Sequence, residues 1–262
     1  MYEQFGFSRT PAGDQIQLFV PDNTVDPSQY NRGGPSRIAE VRIVADFQHA
    51  INGGANWNYS TGLVMTRQNH PNGYVYNYQF SNPLPDGYYQ YQYVVRFADQ
   101  SVRWIGDPCT KYGGDSDDRS AFVVGGSPVQ TNPLANRLPT KDLYIYELMI
   151  DDFTRNYRGN QAPLDAVVSK LDYLSGLNLN TIEFMPWIAW PDDVGFSWGY
   201  DPAYFFSVES AYINDATNPL DRLSRLANLV NECHKRGLHV ILDIVLQHAL
   251  QGSKTNGFPY YW

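Results

Sequence analysis

His239-Val-Ile-Leu-Asp243-Ile-Val-Leu246 decides the fold. Apolar residues flank a single carboxylate, and a short run of this kind reads as a strand buried on both faces. Two earlier stretches repeat the theme: Leu143–Ile150 is nearly continuous apolar, and Thr181–Met185 is a shorter strand. Between those two, Leu164, Val167, Val168, Leu171 and Leu174 recur at helical spacing, opened by Pro163 and closed by Gly176. A second helical stripe, Leu220, Leu223, Leu226, Ala227 and Val230, starts at Pro219 and ends at Gly237. Strand, helix, strand, helix, strand predicts a parallel sheet, either open or closed as a barrel.

The chain before residue 126 follows another rule. Ile38–Phe47, Val75–Phe80 and Tyr88–Phe97 are strand candidates, and Val102–Trp104 with Ala121–Val124 complete a set of short strands. In Tyr88–Phe97 the residues Tyr89, Tyr91, Tyr93, Val95 and Phe97 share one face, opposite Gln90, Gln92 and Arg96. That period of two predicts a strand with one buried face. Pro85-Asp86-Gly87 before it is a turn signal, since Pro presets φ and Gly accepts positive φ. An immunoglobulin-like β-sandwich over 1–126 follows. Residues 127–141, with Ser-Pro, Asn-Pro and Leu-Pro pairs and no periodicity, read as a linker to a domain over 142–262.

Composition narrows the function classes. With 27 Asp and Glu against 19 Lys and Arg the net charge is −8, which gives no basic footprint for nucleic acid. No apolar run approaches the ~18–20 residues of a membrane helix. Met1-Tyr2-Glu3-Gln4 lacks the basic and apolar regions of a signal peptide, so the expected location is the cytoplasm, or outside the cell after signal removal. Cys109 and Cys233 lie one in each half and define no disulfide framework. Aromatic residues make up 15%, with 20 Tyr and 6 Trp; amphipathic rings suit sugar faces and packing between sheets alike.

Sites of parallel α/β sheets form at the C-terminal ends of strands. There the chain offers Glu147, Asp151 and Asp152; then Glu183, followed by a loop with Trp190, Asp192, Asp193, Trp198, Tyr200 and Asp201; and finally Asp243, Gln247 and His248. A carboxylate inside an apolar strand is costly unless paired or solvated at a site, which makes Asp243 the most informative acid. It reads equally as a structural group in a local hydrogen-bond network. Glu147 and Glu183 read as structural, and Asp192-Asp193 as a solvated pair. The histidines show no metal-ligand spacing, Gly53-Gly54 is no phosphate cradle, and no Gly-x-Ser-x-Gly elbow occurs.

Four segments in order resemble glycoside hydrolase family 13, the α-amylase family. Leu143-Tyr-Ile-Tyr-Glu-Leu-Met-Ile-Asp-Asp-Phe-Thr154 resembles its first barrel strand, and Leu171 through Pro186 its first helix and second strand. Trp198-Gly-Tyr-Asp-Pro-Ala-Tyr-Phe-Phe206 resembles the Trp-Gly-Tyr-Asp-Pro loop of the pullulanase, isoamylase and branching-enzyme members. Leu229 through His248 resembles the helix and third strand ending in Asp-x-Val-x-Asn-His. Arg103-Trp-Ile-Gly-Asp-Pro108 resembles the sandwich that precedes the barrel in those members.

The resemblance implies an N-terminal sandwich of E-set or carbohydrate-binding-module type, then the first three βα units of a (β/α)8 TIM barrel. It implies a parent enzyme that cleaves or transfers α-glucosidic bonds of starch- or glycogen-like glucans with retention. By position Tyr200 would stack on a sugar, His248 would bind its hydroxyls, and Asp243 would hold the strand-end network; Trp198 and Asp201 are further substrate-binding candidates. Gln247 replaces an Asn that often helps bind calcium in the family, which makes calcium the one cofactor to test and puts it in doubt. The family's nucleophile, acid/base and stabilising Asp lie on the fourth, fifth and seventh strands, beyond Trp262, so the 262 residues alone are expected to be inactive. Three strands of eight leave open edges, predicting that the rest of the barrel or a second copy docks there. A catalytically inactive carbohydrate-binding or assembly protein is the competing reading; a phosphate-binding α/β enzyme is disfavoured for want of a cradle.

Overall fold

The computed structural model describes residues 5–21, 38–113, 119–127, 129–190, 197–213 and 219–247. The expectations placed on His248, Asp192 and Asp193 lie outside the described residues. The chain forms two compact units: Met1–Gly125 with Tyr204–Phe206 belong to the first, and Gly126–Ala203 with the segment from Ser207 belong to the second.

The first unit is antiparallel. One sheet has the order β1-β2-β6-β5, from Gly6–Thr10 (β1), Gly13–Pro21 (β2), Thr66–His70 (β5) and Gly73–Gln79 (β6). The other runs β4-β3-β7-β10-β9, from Ile38–Ala45 (β3), Leu63–Val64 (β4), Gly87–Phe97 (β7), Tyr112–Gly113 (β9) and Ser120–Val124 (β10). Val102–Ile105 (β8) also pairs with β7, and a short helix, Gln48–Asn52 (α1), follows β3. Ile16, Leu18 and Tyr76 of the first sheet share one core with Val41, Ile43, Tyr91, Tyr93 and Val95 of the second. The one-faced burial expected of β7 does not hold at its centre, where Gln92 and Val94 are buried as well. β7 is an interior strand, paired with β3, β8 and β10, so its side chains have strand neighbours on both edges.

The second unit contains a parallel sheet of order β11-β12-β15, from Ile145–Leu148 (β11), Thr181–Phe184 (β12) and His239–Leu242 (β15). Short helices Ile150–Thr154 (α2), Pro163–Val168 (α3) and Leu171–Ser175 (α4) lie between β11 and β12. Helix α5, Pro219–Lys235, leads into β15. Leu148, Ile182 and Phe184 pack with Leu164, Val167, Leu171, Leu174, Leu229 and Cys233 in a single core. The single helix expected from Leu164 to Leu174 is in fact two. The Ser169 hydroxyl donates to the Ala166 carbonyl at 2.7 Å and Lys170 N–H to that of Val167 at 2.9 Å, which tightens the turn and breaks the ladder.

Burial on both faces, expected of the first and third strands, is also overturned. Ile145 is 51% exposed and Glu147 is exposed, while Tyr146 and Leu148 pack into the core. The helices cover one face only, and alternate residues of each strand project to the other. The third strand ends at Leu242 rather than Leu246, whose side chain is exposed. Asn180 ties the strand starts together: its Oδ1 accepts from Tyr144 N–H at 2.8 Å, and its carbonyl from His239 N–H at 2.8 Å. Residues 130–138 are bonded to this unit: Asn132 N–H donates to Asn231 Oδ1 at 2.6 Å, and Leu138 N–H to His239 Nε2 at 2.9 Å.

Candidate functional site

The site is built where the parallel strands end. The registers align Glu147 with Glu183 and Glu183 with Ile241, one row of the sheet. Because Tyr146, Leu148, Ile182 and Phe184 pack towards the helices, Glu147 and Glu183 project side by side from the opposite face. Asp243 follows β15 directly and stays in the ladder, its N–H donating to the Phe184 carbonyl at 2.9 Å.

Tyr200 arrives from the connection that follows β12. After Pro186 the chain forms Ile188–Ala189 (β13), which pairs with Tyr204–Val208 (β14), and Trp198–Asp201 lie on the excursion between them. Gly199 adopts φ +88°, and a Cβ there would sit 2.6 Å from the Pro186 carbonyl oxygen. Only glycine fits that close approach to the backbone just past β12. Its N–H donates to Ser197 Oγ at 3.0 Å. The next residue then delivers its phenol to the sheet edge: Tyr200 Oη donates to Asp243 Oδ2 at 2.5 Å.

The electrostatics follow from this geometry. The bond to Asp243 is the largest cause of a Tyr200 phenol pushed up to about 12; burial and the negative charges of Asp243, Glu147 and Glu183 add to it. The phenol is a permanent donor at physiological pH, and Asp243 keeps its other oxygen free of that bond. A rigid ring thus stands at the mouth of an acidic, half-open face.

Of the residues singled out in the sequence, the structure joins Tyr200 and Asp243. Trp198 is 59% exposed on the same loop, and Asp201 is half-buried there. Glu147 and Glu183, read from sequence as structural, belong to the same charged face as Tyr200. Their shared third place in Ile-Tyr-Glu-Leu and Thr-Ile-Glu-Phe was the available signal. Gln247 is exposed, and among the described residues no group of three or more His, Cys, Asp or Glu side chains could hold a metal ion.

Parallel strands joined through helices, with polar groups gathered at their C-terminal ends, place the second unit in the α/β class whose sites form there. Residues 145–256 match the family "Alpha amylase, catalytic domain", and over that stretch the chain is similar to the α-amylase family. It is 30% identical over 201 residues to Pullulanase A of Streptococcus pneumoniae, covering 62% of this chain and 16% of that one. Against Isoamylase 1, chloroplastic, of Oryza sativa subsp. japonica it is 34% identical over 130 residues, 45% of this chain and 16% of the relative. The chain therefore spans about a sixth of these curated relatives. Among solved structures, the catalytic module of the glycogen-degrading pneumococcal virulence factor SpuA, in complex with an inhibitor, superposes with a TM-score of 0.70 at 22% identity. That match covers 94% of this chain and 38% of the other. Pullulanase from Paenibacillus barengoltzii, complexed with maltohexaose and α-cyclodextrin, gives 0.68 at 19% identity, with coverage of 94% and 38%. The fold is shared with both.

Proposed function

We propose that this chain is the N-terminal part of an α-glucan-active glycoside hydrolase or transglycosidase. In this reading 1–126 is an immunoglobulin-like sandwich, 127–141 a linker, and 142–262 the first three βα units of a (β/α)8 barrel. The single observation that carries it is the Tyr200–Asp243 hydrogen bond at the C-terminal edge of the parallel sheet, beside Glu147 and Glu183. Polysaccharide sites need a rigid ring for a sugar face and carboxylates for its hydroxyls, and this edge offers both.

Tyr200 presents its ring to a glucosyl unit while its hydroxyl is occupied by Asp243, which fixes the ring angle. The second carboxylate oxygen of Asp243 accepts bonds from the sugar hydroxyls, the part that the family resemblance gives to His248 is a further bond to them, and Trp198 and Asp201 extend the surface. Bond cleavage with retention requires a nucleophile and an acid/base about 5–5.5 Å apart. Those carboxylates belong to later strands, so the face described here binds and orients the glucan and does not break the bond. The names of the relatives, pullulanase and isoamylase, and the maltohexaose held by a structural neighbour support the substrate class.

The test compares two proteins, residues 1–262 alone and the same sequence continued through a complete barrel, for release of reducing ends from glycogen and pullulan. Activity in the second and none in the first is expected. Activity in the first, abolished by a substitution within it, would overturn the reading.

A further inference from the structure

Glu209 has no place in the mechanism above, yet its side chain is 2% exposed. A buried carboxylate is costly unless hydrogen-bonded, so its partners show what it holds. Oε1 accepts from Ala211 N–H at 2.8 Å and from the Ser210 hydroxyl at 3.0 Å, capping the short turn Ser210–Tyr212. Oε2 reaches away from that turn and accepts from Trp190 N–H at 3.0 Å. Glu209 N–H in turn donates to the Trp187 carbonyl at 2.9 Å, which fixes the carboxylate against the start of the loop.

The Trp190 N–H belongs to the same peptide plane as the Ala189 carbonyl. That carbonyl accepts from Ala203 N–H at 2.8 Å. One peptide plane, at the root of the loop that carries Tyr200, is therefore held at its N–H end by a carboxylate and at its C=O end by the returning limb. In a trans peptide the two groups point in opposite directions, so the bonds run nearly in line and polarise each other. Ala203 lies three residues past Tyr200, and Gly199, on the other side of Tyr200, is seated on Pro186. The Trp190 indole, 6% exposed and edge-on to Tyr212 at 5.4 Å, closes the same anchor from its side-chain end.

From this geometry we infer that Glu209 is a positioning residue: by gripping the Ala189–Trp190 peptide it sets the limb that places the Tyr200 hydroxyl on Asp243. The consequence for glucan cleavage rests on the function proposed above; the consequence for Tyr200 does not.

Two readouts separate these. The first is the Tyr200 ring resonance of 13Cζ-tyrosine-labelled protein, assigned by Y200F and followed from pH 7 upward in wild type, E209A and E209Q. In wild type the phenol resists ionisation to about 12. In E209A the pH-7 resonance should move to the position of a free phenol and ionisation should begin near 10. E209Q, which keeps one carbonyl for the Trp190 N–H, should fall between. The second readout is kcat/KM on maltooligosaccharides in the protein with a complete barrel. E209A should lose about as much as Y200F, and the E209A/Y200F double variant should be within twofold of Y200F alone.

An unmoved Tyr200 signal in a folded E209A or E209Q would overturn the inference, as would additive losses in the double variant. Loss of the fold in both variants would overturn it too, since Glu209 would then hold the unit rather than the loop. A moved Tyr200 signal in a protein that cleaves no glucan would leave the inference standing and remove the proposed function.

Discussion

Replacing Tyr200 by Phe deletes one oxygen and leaves the ring. The lost bond is a phenol donating to a carboxylate at 2.5 Å, and hydrogen bonds to charged groups contribute about 1.5–3 kcal/mol. The rise of the phenol from 10 to about 12 gives an independent ceiling of about 2.7 kcal/mol at 1.36 kcal/mol per pH unit. Tyr200 is only half-buried, and screening by water brings the expected cost of Y200F down to about 1–2 kcal/mol. The sign in pH follows from the upward direction. Stabilisation that comes from holding the phenol protonated is complete at any pH below the unfolded value near 10, and is lost as pH rises towards the folded value of about 12. Urea unfolding of wild type and Y200F, followed at pH 7, 9 and 11, reads this directly. The gap should be equal at pH 7 and 9 and shrink at 11. Equal stability at pH 7, or a gap that grows with pH, would show that the phenol–carboxylate bond does not stabilise the fold.

Other consequences are sharper in direction than in size. In the protein with a complete barrel, Y200A should lower kcat/KM more than Y200F, and His248→Ala should cost about 1–3 kcal/mol of transition-state binding; steady-state kinetics check both. Gly199→Ala forces a Cβ to 2.6 Å from the Pro186 carbonyl at φ +88°, so it should mimic or exceed Y200F in the 13Cζ readout of Tyr200. In the first unit Asp14, buried and bonded by Arg9 at 2.7 Å and by Leu84 N–H at 2.7 Å, is held below the usual carboxylate range, chiefly by Arg9. Its contribution is present above about pH 4 and lost as pH falls further. Asp14→Asn should therefore lower Tm at pH 7 and converge on wild type in acid. Asp107 behaves oppositely: burial raises it despite bonds from Tyr91, Tyr93 and Cys109 N–H. Its carboxylate form is the less stable one inside the fold, so stability from this group should rise as pH falls, and Asp107→Asn should remove that slope.

Legibility from sequence tracked the range of the interaction. The periodic stripe from Leu220 to Val230 with Pro219 before it and Gly237 after it is a local signal, and helix α5 appears at Pro219–Lys235. The break at Ser169 was hidden, because it depends on one hydroxyl competing for the Ala166 carbonyl inside an otherwise regular stripe. Ile16, Leu18 and Val20 alternate with polar Gln15 and Gln17 in β2, a strand signal shorter than the tyrosine pattern of β7 and interrupted by Phe19. In the site, Asp243 stood out as an acid in an apolar run. Its partner, 43 residues earlier, came only through the resemblance of Trp198–Phe206 to a family loop. Glu209 had no such marker. What it holds is a backbone N–H, and a backbone group leaves no trace in residue identity.

The function proposed above rests on α-glucan binding at the edge formed by Tyr200 and Asp243. A crystal structure of the protein with its complete barrel, soaked with maltotetraose, tests it most directly. The prediction is a glucosyl ring stacked on Tyr200 at about 4 Å, with Asp243 and His248 in hydrogen-bond reach of its hydroxyls. A bound glucan that leaves Tyr200 and Asp243 untouched would contradict it.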